Sequence, residues 1–299
     1  MPEEKKSVLI TGTSTGLGNL AALTLARHGH RVYATMRDTE GKNRAAREGL
    51  QAIARDENLP LTVLELDVTA PDCTERMEQI LDTISPLDVL VNNAGFMSIG
   101  IAEAYTEDQV RQQMELNFFA PVRLTRTVLP QMRQRKSGLI VHVSSIVGRV
   151  LFPACAFYCA SKFALEAYAE VLHYELTPFG IDSVIVQPGP FPTVLLGNSP
   201  GPADTERASA YGQLADIRDV FMDSFRQYFA SDEAPDPQLV ADAILRLTEE
   251  QPGRRPLRTV CGPDYGAITI NQQTAPIQAE VLRALGMGDL AARAETPGE

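Results

Sequence analysis

The sequence has no tryptophan, and only four cysteines and four histidines among its 299 residues; basic side chains are in the minority. Each shortage excludes something. Cys73, Cys155, Cys159 and Cys261 form no CxxC pair and make no disulfide framework in a chain of this length. Cys155 and Cys159 can share a helix face, but no histidine or further cysteine stands near enough to complete a set of three or four ligands. They read as small core or pocket residues, and no metal is expected. His28, His30, His142 and His173 fall at no ligand spacing, and His142, in an apolar run, reads as structural. Twenty-seven Lys and Arg stand against 38 Asp and Glu, a formal charge of −11. Nucleic-acid backbones need a basic face, so no nucleic-acid partner is expected. No apolar run approaches the roughly 18 residues of a membrane span. The opening MPEEKKSVLIT is also unlike a secretory signal. The expectation is a soluble protein of the cytoplasm.

What is present is globular: 44% hydrophobic and 22% charged residues. Short runs rich in Val, Ile and Leu occur at Ser7–Thr11, Arg31–Thr35, Leu61–Leu66, Leu87–Val91, Leu139–Val143 and Ile181–Val186. Runs this apolar fit strands covered on both faces, the condition of a parallel sheet. Stretches with helical spacing separate them, including Gly18–His28, Thr74–Ile84, Thr106–Met132 and Phe157–Thr177, with a break expected at Pro121. The alternation predicts an α/β fold: a doubly wound, mostly parallel Rossmann-type sheet of about seven strands, with helices on both faces. After Val186 come a Pro- and Gly-rich segment and a stripe of Phe221, Met222, Phe225 and Phe229. A helix over Asp236–Glu249, a last strand near Leu257–Val260 and a polar tail complete the chain.

Between the first strand and first helix lies Thr11-Gly12-Thr13-Ser14-Thr15-Gly16-Leu17-Gly18. Glycines there allow a tight turn and a close approach to a pyrophosphate, while the helix start presents free N–H groups. The spacing is GxxxGxG, not the commoner GxGxxG.

With this loop the chain begins to resemble the short-chain dehydrogenase/reductase family, and further motifs follow in order. Asn92-Asn93-Ala94-Gly95 resembles its NNAG stretch, Asn117 its helix asparagine, and Ser145 its serine after the fifth strand. Tyr158 and Lys162 form its YxxxK pair, and Pro188-Gly189-Pro190-Phe191-Pro192-Thr193 resembles its PGxxxT segment. The resemblance covers about two thirds of the chain. It implies an oxidoreductase that exchanges a ketone or aldehyde and an alcohol by hydride transfer. Thr11 to Gly18, Asp67, Val68, Asn93, Ala94, Gly95, Tyr158, Lys162, Pro188, Gly189, Phe191 and Thr193 would bind the cofactor. Asn117, Ser145, Tyr158 and Lys162 would form the catalytic group: Tyr158 the general acid and base, Ser145 a donor to the substrate oxygen, Lys162 a ligand of the nicotinamide ribose, Asn117 the holder of a water. Ser144 is the rival of Ser145.

Cofactor choice is read after the second strand. An NAD enzyme places a carboxylate there; here the position is Met36, followed by Arg37, whose guanidinium suits a 2′-phosphate. NADP(H) is favoured over NAD(H), with Asp38 the complication. Tyr158 and Lys162 share a helix face, and the ammonium is expected to pull the phenol below its ordinary pKa.

Substrate contacts are expected from Met97, Ser145, Val147, Phe152, Leu195 and Phe225, with Ile99 and Met222 in the same apolar set. Together with VYATMRD and YCASKFALE, which resemble the hydroxysteroid and retinol dehydrogenase branch, they imply a lipophilic carbonyl or alcohol. The chain reads as one domain, 1–299: a core over 7–193, a substrate lid over 194–235, and a C-terminal helix, strand and extension over 236–299. The family implies a homodimer or homotetramer. Two rival readings are a nucleotide-dependent epimerase or dehydratase, whose TGxxGxxG loop is not matched here, and a nonenzymatic NADP(H) sensor, in which the YxxxK group is usually eroded.

Overall fold

Runs dominated by β-branched and aliphatic residues form seven strands, and every pairing between them is parallel. The computed structural model describes residues 5–84 and 86–292; the end of the expected C-terminal extension, 293–299, lies outside the described residues. The strands are β1 (Ser7–Thr11), β2 (Arg31–Met36), β3 (Leu61–Glu65), β4 (Val89–Asn92), β5 (Gly138–Val143), β6 (Ile181–Pro188) and β7 (Arg258–Cys261). They stand in one sheet in the order 3-2-1-4-5-6-7, the Rossmann-type arrangement expected from the alternation. β1, β4 and β6 are buried along their whole length, as strands covered by helices on both faces must be. Alternation sends Val8 and Ile10 to one face and Leu9 to the other.

The helices are α1 (Gly16–Arg27), α2 (Arg44–Asp56), α3 (Cys73–Ile84), α4 (Glu107–Met114), α5 (Ala120–Arg135) and α6 (Ala156–Leu176), then α7 (Val194–Gly197), α8 (Thr205–Ser209), α9 (Ile217–Phe229), α10 (Gln238–Glu249), α11 (Ala267–Ala284) and α12 (Gly288–Ala292). α1 and α10 cover one face through Ala21, Leu25, Val240 and Ile244; α5 and α6 cover the other through Leu124, Val128, Leu172 and Leu176. Each such leucine contributes about 1.5–3 kcal/mol on burial.

Two of the longer helices go beyond the sequence expectation. α2 buries only Leu50 and Ala54 beneath a charged surface, too thin a stripe to stand out. α11 carries Pro276 in its interior, where proline ordinarily ends a helix. The helix expected over Thr106–Met132 is three pieces. α4 ends at Met114, a π-helical turn spans Glu115–Phe119, and α5 begins at Ala120 with Pro121 in its first turn. The break therefore lies just before the proline. Pro121 has no N–H to offer the carbonyl four residues back, that of Asn117.

The chain leaves β1 toward β2 on one side, and β4 lies on the other. Their C-terminal ends flank the topological switch point, where an open α/β sheet leaves a crevice for ligands.

Candidate active site

β1 ends at Thr11, and the chain must turn sharply to enter α1. Gly12 and Gly16 take φ of +71° and +60°, a conformation that strains any side chain. A Cβ on Gly12 would meet the Cα of Ala94 at 2.8 Å; one on Gly18 would meet the carbonyl oxygen of Gly12 at 2.5 Å and collide with the Asn93 side chain. The glycines thus let the loop, α1 and the segment after β4 close on one another. The Asn93 side-chain amide donates to the carbonyls of Thr11 (2.8 Å) and Gly12 (3.1 Å), and the Thr11 hydroxyl accepts the N–H groups of Asn93 and Ala94 at 3.0 Å each.

Thr13 is anchored from the opposite side, its N–H (3.0 Å) and hydroxyl (3.1 Å) both donating to the Thr35 carbonyl. Thr11 and Thr13 are fully buried and turned from the cleft. They shape the loop from behind, unlike the contacts expected of them. Ser14, Thr15, Gly16, Leu17 and Gly18 do line the cleft. Thr15, at the start of α1, caps nothing with its side chain, so the first N–H groups of the helix face an open space suited to an anion.

At the end of β2 the cleft wall is Met36, Arg37, Lys42 and Asn43. Asp38 is absent from it. With φ of +49°, Asp38 folds its carboxylate back to accept the Lys42 N–H at 2.8 Å, and its carbonyl accepts the Asn43 N–H at 3.0 Å. The turn presents a cation and an amide to the cleft and hides the acid. Lys42 and Asn43 escaped the sequence reading because a turn has no periodicity; an Asp four residues before Lys was the available sign. Asp67 and Val68 line the adjoining wall, but one Asp67 oxygen already accepts the N–H (2.9 Å) and hydroxyl (2.7 Å) of Thr69.

Ser145 follows β5, and Tyr158 and Lys162 stand one turn apart on α6, nearly buried at 6% and 5% exposure. The Ser145 hydroxyl is near enough to the Tyr158 phenol to favour its ionised form. The Ser145 hydroxyl also lies 3.3 Å from the Pro188 carbonyl and accepts the Val147 N–H at 3.3 Å. Ser144 lines the cleft as well, but its hydroxyl has no hydrogen-bond partner and lies toward Gly148. Lys162 Nζ donates to the Val143 carbonyl at 2.9 Å and stands 5.8 Å from the centre of the Tyr158 ring.

Burial pushes the Tyr158 phenol above its ordinary range, with the Ser145 hydroxyl the one group pulling it down. The lowering expected from Lys162 is not found, and desolvation dominates. Lys162 itself is brought down to about 8 by burial, against the pull of Glu166. His142 is brought down to about 3, first by burial and then by Lys162, and is neutral beneath the sheet end.

Asn117 is fully buried in the π turn. Its amide donates to the Phe96 carbonyl and the Ser161 hydroxyl at 3.0 Å each and accepts the Phe96 N–H at 3.1 Å. Its side chain is therefore committed to structure and does not line the cleft. A Cβ on Gly95 would nonetheless meet Asn117 Oδ1 at 3.2 Å and Lys162 Nζ at 3.8 Å, so both converge beneath that glycine.

Ala94, Gly95, Pro188, Gly189, Phe191 and Thr193 line the same cleft, joined on the far side by Met97, Val147, Phe152, Leu195 and Phe225. Ile99 and Met222 are instead packed in the core. Along α9, Phe221, Phe225 and Phe229 form a row with ring centres 4.8 and 5.7 Å apart, and Phe152 lies 6.2 Å from Phe221. The whole cleft is about 1380 Å³, above the roughly 300–1,000 Å³ of a site for one small ligand. It has room for two ligands side by side. Among the described residues, no helix is long and apolar enough to cross a membrane.

The sequence pattern of the family described as short chain dehydrogenase matches residues 6–201. The chain is 35% identical over 260 residues to 3-ketodihydrosphingosine reductase of Bacteroides thetaiotaomicron, covering 86% of this chain and 87% of that protein. It is 35% identical over 283 residues to retinol dehydrogenase 8 of Homo sapiens, covering 90% and 85%. The structure of a short-chain dehydrogenase from Sphingobium yanoikuyae in complex with NADPH superposes with a TM-score of 0.71 at 26% identity, over 92% of this chain and 94% of that one.

Proposed function

The chain belongs to the short-chain dehydrogenase family, an oxidoreductase acting on CH–OH groups, and on that premise we propose that it uses NADP(H) to interconvert a lipophilic ketone or aldehyde and its alcohol, with Tyr158 as acid and base. The observation that carries this reading is the convergence of Ser145, Tyr158 and Lys162 on one cleft, where the glycine loop and the apolar wall meet. A bound nicotinamide cofactor supplies or accepts the hydride. Ser145 holds the substrate oxygen beside the phenol, and Tyr158, protonated at neutral pH because its burial disfavours the phenolate, gives its proton to that oxygen during reduction. Lys162 would hold the nicotinamide ribose, and its ammonium stabilises the tyrosinate left by the transfer until a proton returns from solvent. Asn117, in the turn beside Lys162, would hold a water between that lysine and solvent.

Three features support NADP(H) over NAD(H): Arg37 and Lys42 on the cleft wall, the Asp38 carboxylate turned into its own loop, and the NADPH-bound relative. The apolar row on α9 and Phe152 supports a lipophilic substrate. The assay is NADPH oxidation against lipophilic ketones, quinones and sugars, run in parallel with NADH. Lipophilic ketones are expected to turn over, with NADPH preferred. Arg37→Ala is expected to raise the KM for NADPH about tenfold or more, the worth of a charge-assisted phosphate contact, and to leave that for NADH in place. Equal loss with both nucleotides would remove the 2′-phosphate assignment.

The core over 7–193, lid over 194–235 and remainder over 236–299 are read as one domain. The exposed Phe163 and Val171 on α6 support pairing with a second copy through that helix, and light scattering at the mass of a single 32.6 kDa chain would exclude it. The four unpaired, buried thiols support a reducing compartment, the cytoplasm.

A further inference from the structure

The catalytic helix carries a second row that the reaction above does not use. Continuing from Tyr158 and Lys162 at four-residue intervals, α6 presents Glu166, Glu170 and Tyr174, each beside the last on a row that winds round the helix. Glu166 is 3% exposed, and an acid buried so deeply needs partners. One oxygen accepts from the Gln187 amide of β6 at 2.8 Å, and the other from Arg258 Nε of β7 at 2.8 Å. Arg258 is shared: its Nη2 donates to Glu170 at 2.5 Å, and Glu170 accepts the Tyr174 hydroxyl at 2.9 Å. Asn271 of α11 completes the cluster by donating to Gln187 at 2.7 Å.

This cluster reaches the active site through the segment after β5. A Cβ on Gly148 would meet the Glu166 side chain at 2.7 Å and the Ser144 hydroxyl at 2.9 Å, while Lys162 grips the Val143 carbonyl just before that serine. Lys162 and Glu166 thus hold the two ends of one short segment from the same helix face. Around Lys162 stand Tyr158 and Glu166 on its own helix, neutral His142 and the Val143 carbonyl of β5, and Asn117 of the π turn. Glu166 is the one acid among them. Around Glu166 stand Arg258 of β7, Arg149 after β5 and Glu170 one turn on.

We propose that Glu166 is a positioning residue that keeps the ammonium charge on Lys162, and that Arg258 limits how strongly it does so. The inference rests on the role of Lys162 set out above. An ammonium held only by a backbone carbonyl in a dry site tends to lose its proton, and a buried carboxylate one turn away opposes that loss. Arg258 spends part of the same negative charge, so its removal and the removal of Glu166 act on Lys162 in opposite directions.

The test is the pH dependence of kcat/KM for NADPH-dependent reduction of a lipophilic ketone that the wild type turns over, from pH 6 to 10. Glu166→Gln is expected to move the alkaline limb down by about one pH unit, and Glu166→Asp to leave it near the wild-type position. Glu170→Gln breaks an equivalent bond to Arg258 one turn farther from Lys162, and is expected to move the limb much less than Glu166→Gln. Arg258→Gln is expected to move it up, and carries the test if Glu166→Gln does not fold. A limb that moves equally in Glu166→Gln and Glu170→Gln, or moves in neither, overturns the inference: the cluster is then structural. A wild-type limb that Lys162→Arg does not move overturns the reading of Lys162, and the inference with it. A limb that Lys162→Arg moves and Glu166→Gln does not overturns the inference alone.

Discussion

Replacing Tyr158 by phenylalanine is expected to lower carbonyl reduction by about 10²–10⁴-fold, the range for removing a positioned general acid. Binding of NADPH, followed by its fluorescence, should remain within a few-fold. Phenylalanine keeps the ring that Ile146, Val147, Cys155 and Cys159 pack against, so the apolar cluster around position 158 is preserved. What is lost is one hydroxyl beside Ser145. Ser145 keeps its neighbours, the Pro188 carbonyl and the Val147 N–H, so the serine stays in place and the effect is confined to the proton. Ser145→Ala is expected to cost less, because it removes a hydrogen bond to the substrate oxygen and leaves the proton donor. Turnover by the phenylalanine variant within tenfold of wild type would sink the mechanism.

The burial that raises the tyrosine could not be read from spacing. Tyr158 and Lys162, four residues apart, announce proximity, and proximity of an ammonium argues for an acidic phenol. Whether the pair lies in water or in a dry crevice depends on what the sheet end, the lid and the loop after β4 place over it. The strands themselves were legible because each is buried on both faces and must be apolar throughout. The glycine loop was legible for a related reason: positions with positive φ or backbone-to-backbone approach admit little else.

What stayed hidden was decided by single turns. Asp38 lies one residue beyond Arg37, and nothing in the letters says that the chain takes φ of +49° there and folds the acid away. Lys42 and Asn43 reach the cleft only because of that fold. Thr13 sits inside a motif whose neighbours face the cleft, yet its own bonds run back to β2. Pro121 foretold a break, but not that a π turn would precede it and carry Asn117.

Reduction is expected to be level from about pH 6 to 8 and then to fall tenfold per pH unit, because burial brings Lys162 down to about 8 and the ammonium is the form that holds the ribose. A lysine left in water titrates near 10.4 and would show no loss below pH 9. Stability changes in the other direction. Between about 8 and the ordinary lysine range the unfolded chain holds a proton that folded Lys162 has released, so this residue's contribution to stability rises with pH across that window. The alkaline loss of activity is therefore expected without any matching fall in Tm. Lys162→Arg keeps a charge that does not titrate there; at lowered activity, its limb should leave the window. Lys162→Met should lose about a hundredfold or more at pH 7, the lower end for a group serving the general acid, and the residue of activity should be level across pH 8. Paired profiles of kcat/KM and of Tm from pH 6 to 10 decide the matter. A profile level to pH 9.5, or a Tm that drops at the same midpoint as activity, would show that the titrating group is not Lys162.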